Sequence, residues 1–314
     1  MKKIINFIVL ALTILLVFQC DSEDANAKYI APEDPDISNE IDTYLYDNDN
    51  NSLFELYGTS TRWRWNDNFI DPDERATPIK SDLVIPMTKL VEYLWIGPFT
   101  STGEAGEAFM NTLFPPELVL LGSRIFELDG SAKLGYAEGG ARVTILDANS
   151  LDYQSRSWLT NSNSGMLRTL HHEFTHIVDG VYGIPVGFNT ISENYVGIDW
   201  LNISLDDAVK LGMMSPYGAS SETEDFAEII SNFLVMDPDT FQETFITQQD
   251  CSEEEDAAAT LECQELNEGR VLISQKVDLV VEYYQNEFGI DLYEVRTELQ
   301  ARLELLIETG AIPE

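Results

Sequence analysis

Between Ser81 and Trp95 the apolar positions Leu83, Val84, Met87, Leu90, Val91 and Leu94 recur three and four residues apart, the spacing of one buried helix face. Pro86 is tolerated best in a first turn, so the regular part of this helix is expected to begin near it. Upstream, Ile37 to Leu56 has helical spacing broken by the polar run Asp47 to Asn51, and Thr61 to Trp65 alternates Arg with Trp like a strand. Short β-rich runs at Glu117 to Leu121, Arg124 to Glu127 and Arg142 to Leu146 are separated by Gly122, Asp129-Gly130 and Gly139-Gly140. They predict a small antiparallel sheet. Beyond residue 205 the pattern turns helical, at Leu205 to Leu211, Ser221 to Val235, Val271 to Asn286 and Leu292 to Glu308. The stretch Cys251 to Glu268 holds seven acidic residues and reads as an excursion between helices. Strands followed by helices give an α+β fold, with one domain over 36–314 whose part from about 205 to 314 is helical.

The first nineteen residues have the layout of an export signal: Lys2 and Lys3, then Ile4 to Phe18, apolar apart from Asn6 and Thr13. Fifteen residues are short for a membrane span. The run ends at Cys20 with Val17 three residues before, which resembles a bacterial lipobox with Cys20 as the lipidated N-terminus; Gln19 departs from the usual small residue. The following Asp21-Ser22-Glu23-Asp24 is similar to the tract that directs lipoproteins of Bacteroidota to the cell surface. This implies an outer-membrane lipoprotein, exposed at the surface or else facing the periplasm, with residues 20–35 as an acidic tether; the alternative is an ordinary secretory signal cut elsewhere.

Charge narrows the partners. Acidic residues number 55 against 18 basic, a formal net charge of -37 that repels nucleic-acid phosphates and anionic lipid surfaces. Nucleic acid is excluded as a partner, and the acidic surface is read as a solvated one. Past Cys20 only Cys251 and Cys263 remain, too few for a cysteine-based zinc site. Outside the cytoplasm they either close a disulfide or stay as two thiols.

The chain has three histidines, and they fall at His171, His172 and His176. His172-Glu173-Phe174-Thr175-His176 is an H-E-x-x-H pattern. Residues four apart lie one helical turn above each other, so His172 and His176 can present imidazole nitrogens to one zinc ion. Glu173 is rotated by about 100°, which sets its carboxylate beside the metal as a general base for water. His171 faces away and is excluded as a ligand. Met166, Leu167, Leu170, Phe174, Ile177 and Val178 supply the packing face, and Gly180 offers a stop.

A catalytic zinc needs a third protein ligand and an open fourth position. Asp179, Glu193 and Glu224 are the candidates. Asp179 follows His176 by three residues, but a carboxylate at a helix C-terminus is disfavoured by the dipole and fits better as a hydrogen-bond partner of the histidine. Glu193 has no acidic companion one turn on. Glu224 has Glu228, on a helix otherwise apolar at Phe226, Ala227, Ile229, Ile230 and Phe233. Two carboxylates on such a face are costly to bury unless one meets a cation and the other a donor, although a solvated helix face would carry the same spacing.

These residues resemble the glutamate-type zincin metallopeptidases, with Glu224-Asp225-Phe226-Ala227-Glu228 similar to the matching stretch of the anthrax lethal factor type. The resemblance implies a zincin-like fold with a small antiparallel or mixed sheet, Glu224 as ligand, Glu228 orienting a histidine, and Tyr217 donating a hydrogen bond to the oxyanion. Arg62-Trp63-Arg64-Trp65, Leu121-Gly122-Ser123, Leu134-Gly135-Tyr136-Ala137-Glu138-Gly139-Gly140 and the two metal motifs also resemble the zinc metallohydrolase lipoproteins of Bacteroidota associated with TonB-dependent import. That implies peptide or protein substrates, Zn2+ as cofactor and a TonB-dependent transporter nearby. Arg142 to Leu146 is then a candidate sheet edge for pairing with an extended peptide. Two other functions share these residues: a hydrolase of non-peptide amides or esters, and a non-catalytic surface binding lipoprotein with a structural or vestigial zinc.

Overall fold

The structure is a computed structural model and describes residues 35–47, 51–71, 74–126, 132–133, 135–138, 141–161, 165–254 and 256–313. The export signal, Cys20 and the tether up to residue 34 lie outside the described residues, as do the turns at Asp129-Gly130 and Gly139-Gly140. Seven described helices reach ten residues or more: α1 (Pro35–Tyr46), α2 (Ser81–Val91), α3 (Glu104–Leu113), α4 (Met166–Tyr182), α5 (Glu222–Val235), α6 (Ala257–Phe288) and α7 (Leu292–Thr309). No described helix is long and apolar enough to cross a membrane.

The sheet is mixed, where the sequence pattern predicted an antiparallel one. Strands β1 (Ser60–Arg62), β2 (Glu117–Leu120) and β6 (Arg142–Ile145) run parallel, and β5 (Gly135–Glu138) pairs antiparallel with β6, giving the order β1-β2-β6-β5. A two-stranded hairpin, β3 (Ile125–Phe126) with β4 (Ala132–Lys133), stands apart. Parallel strands covered on both faces read as unbroken apolar runs, and Leu118, Val119, Leu120, Val143 and Ile145 are all buried. The outer strand on this side is therefore β5, and Arg142 to Leu146 lies inside the sheet. Glu117 fixes the register by accepting from Arg62 Nε at 2.8 Å on one neighbour and Arg142 Nε at 2.6 Å on the other.

Helix α2 starts at Ser81, so Pro86 sits in its interior. The bond it forfeits would run to the carbonyl of Asp82, close to the exposed start of the helix, where the loss is least. A wider π turn over Glu92–Ile96 then carries the helix on to Gly97–Thr100, bringing Trp95 and Phe99 into the core.

Two thirds of the presumed excursion at Cys251 to Glu268, from Ala257 on, is helix. Asp256 caps α6 by accepting from the Ala258 and Ala259 N–H groups at 2.9 Å each, and the alanines that follow are the strongest helix formers. Glu262, Glu265 and Glu268 form its solvated face, which the sequence pattern mistook for a loop. Cys251 and Cys263 are joined by a disulfide, with Cα atoms 5.7 Å apart, tying the incoming chain to this helix. Further along α6, Gly269 lets the helix pass against the backbone of Val209, whose carbonyl would sit 1.7 Å from a Cβ there.

Helix α5 packs between α4, α6 and α7. Its Asp225 is fully buried beside the equally buried Lys276 of α6, whose Nζ also donates to the Gly212 carbonyl at 2.8 Å. Tyr195 Oη donates to the same carboxylate at 2.9 Å. Removing one partner of a buried pair strands the other charge, so Lys276→Met should cost about 3–5 kcal/mol of unfolding free energy in a denaturant titration. A variant as stable as the parent would show that the pair does not clamp α5 to α6.

Candidate metal centre

Helix α4 is held from its apolar side. Phe174 makes edge-on contacts with Trp95, Phe99 and Phe109 at ring-centroid distances of 5.5, 5.8 and 5.6 Å. Leu167, Leu170, Ile177 and Val178 are buried on the same side. The helix runs past Gly180 and stops at Gly183, where φ of +80° suits glycine and its N–H reaches the Asp179 carbonyl at 2.7 Å. His171 belongs to the packing side: it is buried against Phe99, and burial pushes its pKa down to about 4, leaving a neutral ring. It takes no part in the cluster opposite.

On the other side His172 Nε2 lies 3.0 Å from Glu224 Oε2, His176 Nε2 lies 3.2 Å from the same oxygen, and the two Nε2 atoms are 3.2 Å apart. His172, His176 and Glu224 form a group able to hold a metal ion. Four donors at zinc bond lengths around a tetrahedral ion are separated by about 3.3–3.4 Å. The three observed separations fall just inside that figure, and two imidazoles with one carboxylate are a donor set suited to zinc. A cation taking one lone pair from each satisfies all three atoms at once, so the residues fit the ion. Glu193, the competing candidate, is exposed and outside the cluster.

The supporting contacts are polar and buried. Glu228 is 1% exposed; its Oε1 lies 3.0 Å from His172 Nδ1, off-line for a straight hydrogen bond, and its Oε2 accepts from Arg168 Nη2. Asn232 Nδ2 donates to the Glu228 carbonyl at 2.8 Å. Burial would lift the Glu228 pKa, but Arg168 and His172 hold it down at about 2. Glu224 is likewise held far below the carboxylate range, against burial, by the two imidazoles. On the far ligand, His176 Nδ1 lies 3.4 Å from Asp179 Oδ2.

Glu173 is adjacent. Its Oε2 accepts the Ala137 N–H of β5 at 2.8 Å, and burial raises its pKa. The outer strand thus grips one carboxylate oxygen of Glu173. Tyr217 stacks obliquely near His172, ring centroids 5.9 Å apart, and Trp200 meets it edge-on at 5.1 Å. Burial, then the charge of Glu224, pushes the Tyr217 pKa well up, so its hydroxyl stays a donor.

Arg168, Lys276, Trp200 and the Ala137 N–H are participants the sequence did not single out. Arg168 had a signal: it stands one turn before His172 on the same helix face. A backbone N–H on a distant strand has none.

A mixed sheet, an H-E-x-x-H helix and a carboxylate from a second helix define the class: an α+β protein with a His-His-Glu candidate metal centre. Residues 35–293 match the family described as "Putative zinc-binding metallo-peptidase", and the chain belongs to that family. The fold is similar to the crystal structure of a putative zinc-binding metallo-peptidase from Bacteroides caccae, with a TM-score of 0.65 and 23% identity over 90% of this chain and 98% of that one. No curated protein matches the sequence.

Zinc binding should stabilise the folded state by mass action, by about 2.7 kcal/mol at a free concentration one hundred times Kd. Thermal denaturation with and without zinc should show that shift for the parent and lose it in Glu224→Ala. A Glu224→Ala protein that retained one equivalent of zinc in elemental analysis would remove Glu224 from the ligand set.

Proposed function

We propose that this protein is a zinc metallopeptidase of the glutamate zincin type, hydrolysing peptide bonds. The observation that carries the proposal is the convergence of His172 Nε2, His176 Nε2 and Glu224 Oε2 within 3.2 Å of one another, with Glu173 beside them on the same helix. His172, His176 and Glu224 would hold the ion. When bound, zinc supplies Lewis acidity, which acidifies water and polarises a carbonyl.

The remaining chemistry falls to the chain. Glu173, held at Oε2 by the Ala137 N–H, takes the proton of the attacking water at its other oxygen and passes it to the leaving amine. Tyr217 donates its hydroxyl to the developing oxyanion. Glu228 and Asp179 take the Nδ1 sides of His172 and His176, which fixes both rings with Nε2 inward. Arg168 keeps Glu228 charged and in place.

Glu173→Gln keeps the shape of the side chain and removes the base. It should retain zinc and lower kcat on a peptide library by about 10²–10⁴-fold. Turnover equal to the parent would rule out this role for Glu173.

The proposal extends to location. Lys2, Lys3, the apolar run to Phe18, Cys20 and the acidic residues after it support an outer-membrane lipoprotein at the cell surface, where released peptides would pass to a TonB-dependent transporter. Cys20→Ser should move the protein from the membrane fraction to the soluble fraction of the native host. Retention in the membrane fraction would argue against lipid anchoring.

A further inference from the structure

Beside the metal cluster lies an apolar surface that the proposed chemistry does not use. The 3-10 helix Gly197–Asn202 places Trp200 against Tyr217, 5.1 Å between centroids, and Tyr217 in turn lies 5.9 Å from His172. In a 3-10 helix residues three apart eclipse, so Ile198 and Leu201 share one face. Both are left in solvent, 87% and 60% exposed, and Leu205 at the start of the next helix is exposed as well. Two aligned aliphatic side chains have no intramolecular reason to be held in water by a tryptophan anchored on the candidate oxyanion donor.

Charge supplies the second observation. Between Arg168 and Arg270 the chain has 21 acidic residues and one basic residue, Lys210, which is engaged by Glu262 at 2.9 Å. That segment contains both histidine ligands, Glu224, Tyr217 and the apolar turn. A molecule carrying -37 overall repels anionic peptides over a Debye length and attracts cationic ones.

We infer that the substrates are cationic amphipathic peptides, cut next to an apolar side chain that rests on Ile198 and Leu201 while flanking lysines or arginines face the exposed carboxylates on and beside that turn in sequence, Glu193, Asp199 and Asp206. This rests on the peptidase reading and deepens it by naming the substrate class.

The test uses the purified full-length protein, zinc-loaded, and four quenched-fluorescent peptides of equal length. Each has Leu or Ser at the central position and either Lys or Glu in the flanks. The Lys-flanked Leu peptide should exceed its Glu-flanked counterpart in kcat/KM by about tenfold or more at low salt, mainly through KM, with the gap narrowing as salt is raised. It should exceed the Lys-flanked Ser peptide by about tenfold, the scale of one buried apolar side chain. The double variant Ile198→Ser, Leu201→Ser should shrink that Leu-over-Ser ratio and leave the salt-dependent Lys-over-Glu ratio in place. Cleavage of all four peptides at similar kcat/KM would overturn the inference while leaving the peptidase standing. So would a Leu preference that survives the double variant. If none is cut faster than by Glu173→Gln, the peptidase reading falls, and the substrate class with it.

Discussion

Three carboxylates within five residues of α5 are driven into the protein, and the arrangement of the centre follows from how each is neutralised. Glu224 meets the two imidazoles of α4, Asp225 meets Lys276 of α6, and Glu228 meets Arg168, one turn before His172 on α4. A carboxylate left alone in such an interior would cost several kcal/mol or take up a proton. Each therefore demands its own partner, and the partners lie on two helices, α4 and α6, at different heights. One helix cannot rotate or slide without breaking at least one of these contacts. Buried ion pairs add little net stability over a well-packed apolar core, but they discriminate strongly between one placement of a helix and its neighbours. Placement is what a metal site requires, since ligand atoms must be held within about 0.5 Å.

The apolar side of α4 provides the complementary constraint. Phe174, next to the base Glu173, sits among Trp95, Phe99 and Phe109, on the side of the helix away from the cluster. The π turn at Glu92–Ile96 belongs to this packing, because it brings Trp95 and Phe99 onto the helix that carries the histidines. From the sheet, β5 contributes the Ala137 N–H that fixes Glu173. The carboxylate of the base is thus oriented by a strand, while its backbone shares α4 with both histidines.

What the sequence made legible was what depends on short separations. His172 and His176 are four apart on one helix, as are Glu224 and Glu228 on another, and each pair can be read from periodicity and the cost of burying charge. The helices at Leu205 to Leu211 and Leu292 to Glu308 were legible for the same reason, within a residue at each end. Sheet topology was not: Ser60–Arg62 pairs with Glu117–Val119 across some 57 positions, and no local pattern announces a parallel partner. The start of α6 was obscured because an acidic solvated face and an acidic loop have the same composition, and only the Asp256 cap followed by alanines separates them. Lys276 could not be matched to Asp225 from sequence, since the pairing spans 51 residues and both look like ordinary surface charges until the fold buries them.

The two i, i+4 pairs on facing helices also explain why so small a set of residues suffices. Glu224 reaches both Nε2 atoms, while Glu228, one turn further along α5, reaches the opposite nitrogen of His172. His172 is therefore held at both ring nitrogens by one helix. His176 has no second glutamate on α5 and takes Asp179 from its own helix instead. This asymmetry puts the more deeply buried ligand under the control of α5 and leaves the outer one, with its looser 3.4 Å partner, on the solvent side of the centre. The solvent-facing side of the centre is thus that of His176, while Tyr217 and, behind it, Trp200 flank the deeper His172.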